Sequence, residues 1–154
     1  MQQIENELNE ADIIINTVDC GPLYFDIIET HRKNKKLIIC PFNPGFGGLV
    51  VCFTHTSTSA FDFFETEVAC DDTEVARCLL GKPGVTIAAQ VGKQNEDFFD
   101  SLLEKGYFPQ LGIGASLTGA ITVTCAVDYL KRENIRSSPD FYYIPAHSHQ
   151  LSVY

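Results

Sequence analysis

Apolar and polar positions along this chain change period several times, and the changes mark out its elements. Met1 to Ala11 is polar and helix-compatible. It runs straight into Asp12-Ile13-Ile14-Ile15-Asn16-Thr17-Val18, a β-branched stretch short enough for a buried parallel strand. Asp19-Cys20-Gly21-Pro22 breaks that strand, with Gly and Pro placed to open a helix and Asp19 or Cys20 in the loop that caps it. Leu23, Phe25, Ile27 and Ile28 then give an imperfect helical stripe up to Lys33, and Leu37 to Cys40 is a second apolar run closed by Pro41. Strand, helix, strand in this order is the signature of a βαβ unit with a right-handed crossover. The turn-rich Asn43-Pro44-Gly45-Phe46-Gly47-Gly48 is too short for another such crossover. The run Leu49 to Thr54 is therefore expected antiparallel to the second strand or displaced beside it.

After His55, the hydroxyl run Thr56-Ser57-Thr58-Ser59 reads as an exposed loop, followed by an aromatic segment with Phe61, Phe63 and Phe64. Asp71 to Leu80 has helical spacing with Val75, Cys78 and Leu79 on one side, and Gly81-Lys82-Pro83-Gly84 ends it. Val85 to Val91 is a short apolar run, and Glu96 to Leu103 places Phe98, Phe99, Leu102 and Leu103 at helical spacing. Gly112 to Glu133 is the longest helical pattern; its small residues predict close packing against another backbone, and the Gly114 to Ala126 face also suits a second copy of the chain. Pro139 to Ile144 reads as a late strand closed by Pro145, while His147 to Tyr154 has no clear pattern. There is no repeat of solenoid length and no linker, so residues 1–154 are expected to form a single domain. The expected fold is α/β: a Rossmann-like mixed sheet, partly parallel with antiparallel strands, flanked by helices.

Composition narrows the function classes. The formal net charge of -9 would repel a phosphate backbone, which argues against a nucleic-acid partner. Arg32, Lys33, Lys35 and Lys36 sit between a helical and a strand pattern and read as a solvated connecting turn. Cys20, Cys40, Cys52, Cys70, Cys78 and Cys125 are sparse and lie partly in apolar runs, the setting of small buried hydrophobes rather than of a disulfide framework. No uninterrupted apolar stretch reaches the roughly 18 residues of a membrane span, and Met1 to Glu10 has no signal-peptide pattern. A cytoplasmic chain without a membrane partner is the expectation.

The order of these segments is similar to a known family. Ala11 to Asp19 resembles the strand ending in Asp of ThiF/MoeB/HesA-type adenylyltransferases, the ubiquitin-activating-enzyme-like family. Gly45-Phe46-Gly47-Gly48-Leu49-Val50-Val51-Cys52-Phe53 resembles that family's glycine-containing turn into an antiparallel strand. Pro109 to Ser116, followed by a small-residue helix ending in Tyr129-Leu130-Lys131, resembles its late helix. The resemblance implies binding of ATP with magnesium and adenylation of the carboxy-terminal glycine of a ubiquitin-like or sulfur-carrier protein, with release of pyrophosphate. It also implies that Asp19 contacts the metal and nucleotide, as catalytic, cofactor-binding and metal residue at once. Independently of the family, ligands of open α/β sheets bind beyond the carboxyl ends of strands, where a carboxylate can hold magnesium. The plainer alternative is that Asp19 caps the next helix.

The chain also departs from that family. The glycine-rich GxGGxG loop, which brings backbone N–H groups to the phosphates, and the arginine and lysine that stabilise the transition state belong upstream of Met1. The chain thus resembles the carboxy-terminal half alone, truncated relative to the family and not expected to be active by itself. Pro44 to Gly48 precedes a strand rather than a helix and reads as a turn. The family's zinc-binding CxxC pairs are missing, so zinc is not expected; Cys70 and Cys78 are eight apart, with acidic Asp71 and Asp72 beside Cys70, a poor setting for either metal or thioester chemistry. His147 and His149 are a pair without further ligands, and His55 has no matching nucleophile and acid. Two other readings stay open: a fragment of a nicotinamide-dependent oxidoreductase, against which Asp19 counts, and a non-catalytic dimerisation or binding domain. A homodimer is expected because half of a doubly wound sheet exposes a strand edge and apolar helix faces.

Overall fold

A computed structural model describes residues 2–43, 47–82 and 112–145. In chain order the elements are α1 (Gln2–Glu10), β1 (Ile13–Ile15), α2 (Pro22–Lys33), β2 (Leu37–Phe42), β3 (Gly47–Phe53), α3 (Ala60–Phe63), α4 (Asp72–Gly81), α5 (Gly112–Leu130) and β4 (Tyr142–Pro145). The strands form one four-stranded sheet in the order β1-β2-β3-β4. β1 and β2 are parallel, and the β2/β3 and β3/β4 pairs are antiparallel. The result is an α/β fold with a mixed sheet, as the period changes in the sequence predict.

Helices cover both faces of the sheet, because β2 and β3 are apolar at every buried position rather than at alternate ones. Ile38 and Cys40 of β2, with Leu49, Val51 and Phe53 of β3, pack in a cluster with Tyr24, Phe25 and Ile28 of α2, Phe63 of α3 and Val75 and Leu79 of α4. Their neighbours Leu37, Ile39, Val50 and Cys52 pack on the other face with Ile121 and Cys125 of α5. Each such side chain contributes about 1.5–3 kcal/mol relative to an exposed one. The aromatic segment fills the first cluster with ring edges: Phe63 meets Phe64 at a centroid distance of 5.0 Å, and Phe25 meets Phe64 at 5.6 Å.

β1 is shorter than its β-branched run suggests and, among the described residues, lies at the sheet edge with Ile15 half exposed. The cause is Asn16. Its side-chain carbonyl accepts from Val18 N–H at 3.4 Å and its amide donates to Tyr24 O at 3.2 Å, so a local turn replaces the ladder for Thr17 and Val18. The expected buried strand from Asp12 to Val18 is corrected accordingly, and Asp19 sits in the loop beyond it. α2 opens with Pro22 after Gly21, whose φ of +156° lies in a region that L side chains rarely adopt. Gly21 is the N-cap and no side chain caps the helix, so neither Asp19 nor Cys20 has the capping role. The Asp71 N-cap of α4, by contrast, forms a full capping box with Glu74.

The basic cluster partly holds the fold together. Arg32 pairs with Glu29 at 2.8 Å, Glu29 accepts from Ala60 N–H at 2.7 Å, and the Lys36 ammonium donates to Asn9 O at 2.7 Å and to Ala11 O at the end of α1. The late strand begins at Tyr142 and includes Pro145, which pairs with Gly47 at the free edge of the described sheet, where a missing N–H is tolerated. The expected strand at 85–91, the expected helix at 96–103 and the tail from His147 lie outside the described residues.

α5 is 19 residues long with a mean hydropathy of 1.4, enough in length and composition to cross a membrane. Here Gly114, Thr118, Ile121, Thr122 and Cys125 are buried, with Ile121 and Cys125 packed on β2 and β3 and the Thr118 hydroxyl donating to Phe42 O at 2.8 Å. The expected close approach to a backbone is therefore real, and within this chain that backbone is β3. A Cβ on Gly48 would lie 2.5 Å from Thr118 N and 2.7 Å from Leu117 C.

This contact predicts opposite outcomes for two glycines. Gly48→Ala forces α5 off the sheet and lowers unfolding free energy by about 1–3 kcal/mol. Gly119→Ala, on the exposed side of the same helix with nothing within 4 Å of the added Cβ, raises it by up to about 1 kcal/mol. Urea unfolding of both variants checks the pair.

Candidate functional site

Parallel β1 and β2 both end at the same edge of the sheet, and a cleft of about 350 Å³ opens there. The loop from Asn16 to Cys20 forms one wall, Pro41, Phe42 and Asn43 at the end of β2 form the floor, and Asp72, Val75, Ala76 and Leu79 of α4 form the opposite wall. Its volume is at the lower end for small-molecule sites, and its place beyond strand carboxyl ends is where open α/β sheets bind ligands. The two walls are tied by one hydrogen bond, from Cys20 N–H to the Asp72 carboxylate at 2.9 Å.

Asp19 is exposed and lines this cleft, so the residue singled out from the sequence reaches the carboxyl edge of the sheet. Asp72 is the second carboxylate, while no lysine, arginine or histidine lines the cleft among the described residues. A bare phosphate would be repelled there, since like unit charges about 4 Å apart near a protein surface cost about 4 kcal/mol. A magnesium-bound phosphate fits better, because hard cations take carboxylate oxygens readily.

Tyr24 also lines the cleft, and the helical stripe read from the sequence, Leu23, Phe25, Ile27 and Ile28, did not include it. It is only 2% exposed. Its ring is held edge-on by Phe25 and Phe42 at centroid distances of 5.7 and 6.2 Å. The hydroxyl faces the Cys40 thiol, a weak partner, and makes no stronger hydrogen bond among the described residues. Burial, with smaller contributions from the Cys40 and Cys20 thiols and Asp72, raises its pKa well above the usual tyrosine value and keeps it protonated. A buried hydroxyl left in this state costs about 1–3 kcal/mol.

The cysteines give no nucleophile here. Burial, reinforced by the Asp72 carboxylate, pushes the Cys20 thiol up, and burial, partly opposed by the Tyr24 hydroxyl, pushes Cys40 up to about 12. Burial also raises Cys70 and Cys78. Cys125 is lowered by its hydrogen bond with Cys52, but it is 1% exposed on the face of α5 packed against the sheet. A thioester needs an accessible thiolate, and none of these thiols supplies one. No group of three or more metal-ligating side chains exists among the described residues. His55 lies on an exposed turn outside the cleft, and His147 and His149 are outside the described residues. Comparison with protein-family models, with curated proteins and with solved structures finds no match to this chain.

The Cys40 shift predicts an alkaline weakness. Below pH 9.0 both folded and unfolded chains keep the proton; between 9.0 and about 12 the unfolded chain releases it while the folded one does not, so stability falls as pH rises. Urea midpoints measured at about pH 8 and about pH 10 should therefore drop, and Cys40→Ala should show a smaller drop.

Proposed function

We propose that this chain forms the metal-nucleotide side of a ThiF/MoeB/HesA-type adenylyltransferase, a segment that serves to activate the carboxy-terminal glycine of a ubiquitin-like or sulfur-carrier protein and is inactive alone. The observation that supports this reading is the position of Asp19, exposed on a cleft at the carboxyl ends of the parallel pair, in surroundings without a basic residue. Bound magnesium would bring the positive charge that the cleft lacks and polarise the phosphates. Asp19 holds the metal directly or through water, and Asp72 fixes the loop that carries Asp19 through Cys20 N–H. Residues 1–154 contain no GxGGxG motif, the loop by which such an enzyme cradles phosphates.

A second reading, a homodimer in a non-catalytic role, is favoured by the outer side of α5. Ile113, Val123 and Leu130 are 53%, 62% and 67% exposed there. The helix carries Asp128 as its one charged residue, so a second copy of this acidic chain would meet little like-charge repulsion along it. Sedimentation of the chain and of Val123→Asp decides it: a concentration-dependent dimer lost in the variant supports the reading, and a monomer throughout removes it.

The metal site is tested by titrating Mn²⁺ with ATP into the isotope-labelled chain and following its amide signals. Selective broadening of residues 16–20 and 72–76, lost in Asp19→Asn, is the expected result. Uniform broadening, or the same pattern in Asp19→Asn, contradicts the assignment.

A further inference from the structure

We infer that Cys52 and Cys125 form a reversible dithiol pair, which hydrogen peroxide oxidises to a disulfide that clasps α5 to the sheet. Cys52 lies in β3 opposite Ile39 of β2, and Cys125 lies on the sheet-facing side of α5. Both are buried in one cluster with Ile39, Val50 and Ile121, and Tyr142 of β4 packs against it. Gly48 is what lets the helix come this close: α5 backbone at Thr118 sits where a side chain of Gly48 would be. Cys125 is seven residues further on, about two turns along the same face, and so reaches β3 as well. The two thiols are in hydrogen-bond contact, with Cys52 donating to Cys125. Tyr142 is a second donor to the same sulfur. Its hydroxyl accepts from Arg136 N–H at 2.7 Å, which leaves its own proton to point at Cys125.

The pair is therefore asymmetric. Cys125 receives two hydrogen bonds that favour its thiolate against burial, whereas Cys52, the donor and deeply buried, is pushed up and keeps its proton. A thiolate beside a thiol is the starting arrangement for disulfide formation, and burial that bars a protein-sized partner does not bar a molecule as small as peroxide. In the first step the Cys125 thiolate attacks one peroxide oxygen, the O–O bond breaks, and the hydroxide released takes up a proton to become water. Cys125 is left as a sulfenic acid. The Cys52 sulfur then attacks the Cys125 sulfur, the S–O bond breaks, and the oxygen leaves as a second water with the Cys52 proton. Two electrons pass from the sulfurs to the peroxide, and a dithiol reductant reverses the change. The bridge closes a loop of roughly 70 residues and so restricts the unfolded chain. It acts on the helix whose Thr118 hydroxyl holds Phe42 O at the end of β2.

The test uses the full chain, reduced, freed of reductant and exposed to hydrogen peroxide while folded. The intact mass is expected to fall by two hydrogens, fragment mapping to join Cys52 to Cys125, and dithiothreitol to restore the starting mass. The bridged form should melt roughly 5–10 °C higher than the reduced one. Tyr142→Phe, which removes one donor to Cys125 and keeps the ring, should form the bridge at least threefold more slowly at the same peroxide concentration. A bridge between any other two cysteines, oxygen added without a bridge, a lower melting point in the bridged form, or an unchanged rate in a folded Tyr142→Phe would each overturn the inference. If that variant does not fold, the mapping and melting of the native chain decide alone.

Discussion

The structure depends on two neighbouring strands being buried on both faces. β2 and β3 are apolar at successive positions, so neither face of the sheet can be left to water. α2, α3 and α4 are drawn to one face and α5 to the other, and the helices in turn block any approach to the sheet from above or below. The Gly48 contact is the tightest point of that arrangement, since a side chain there would push into the α5 backbone.

Among the described residues, the cleft opens at an end of the sheet. At one end the parallel pair β1 and β2 stops short, because the Asn16 side chain captures backbone groups of Val18 and Tyr24 and turns the chain away. The loop this releases arches over the end of β2, and Asp72 anchors it through Cys20 N–H. The cleft is thus a product of a strand ended early by one amide side chain. Its chemistry is set by what surrounds it: carboxylates at the mouth, a buried phenol at the back and apolar surface between.

Much of this was legible in the sequence, because it rests on local signals. Pro22 after Gly21 marked the start of α2, the helical spacing from Asp71 to Leu80 marked α4, and the short turn after Pro41 left β3 either antiparallel to β2, as it is, or displaced beside it. Asp19 could be singled out because the carboxyl end of a strand is a place defined by chain direction. What escaped depends on contacts far apart in sequence. Nothing local shows that Asn16 outcompetes the ladder for a β-branched run, or that Asp72 lies 2.9 Å from a residue 52 positions earlier. Tyr24 fell outside the stripe read from the sequence, and only its neighbours show that its ring is core and that its hydroxyl meets no better partner than the Cys40 thiol. The small-residue face of α5 correctly foretold a close backbone contact, but a pattern within one helix does not say whether the partner is its own sheet or another chain.

On the proposed function, ligand enters at the carboxyl edge of the parallel pair. Hydrogen exchange of the chain with and without magnesium-ATP measures this directly. The account predicts slower exchange at residues 16–20 and 41–43, where the cleft lies, with α5 unchanged. Protection confined to α5, or none at the ends of β1 and β2, would contradict it.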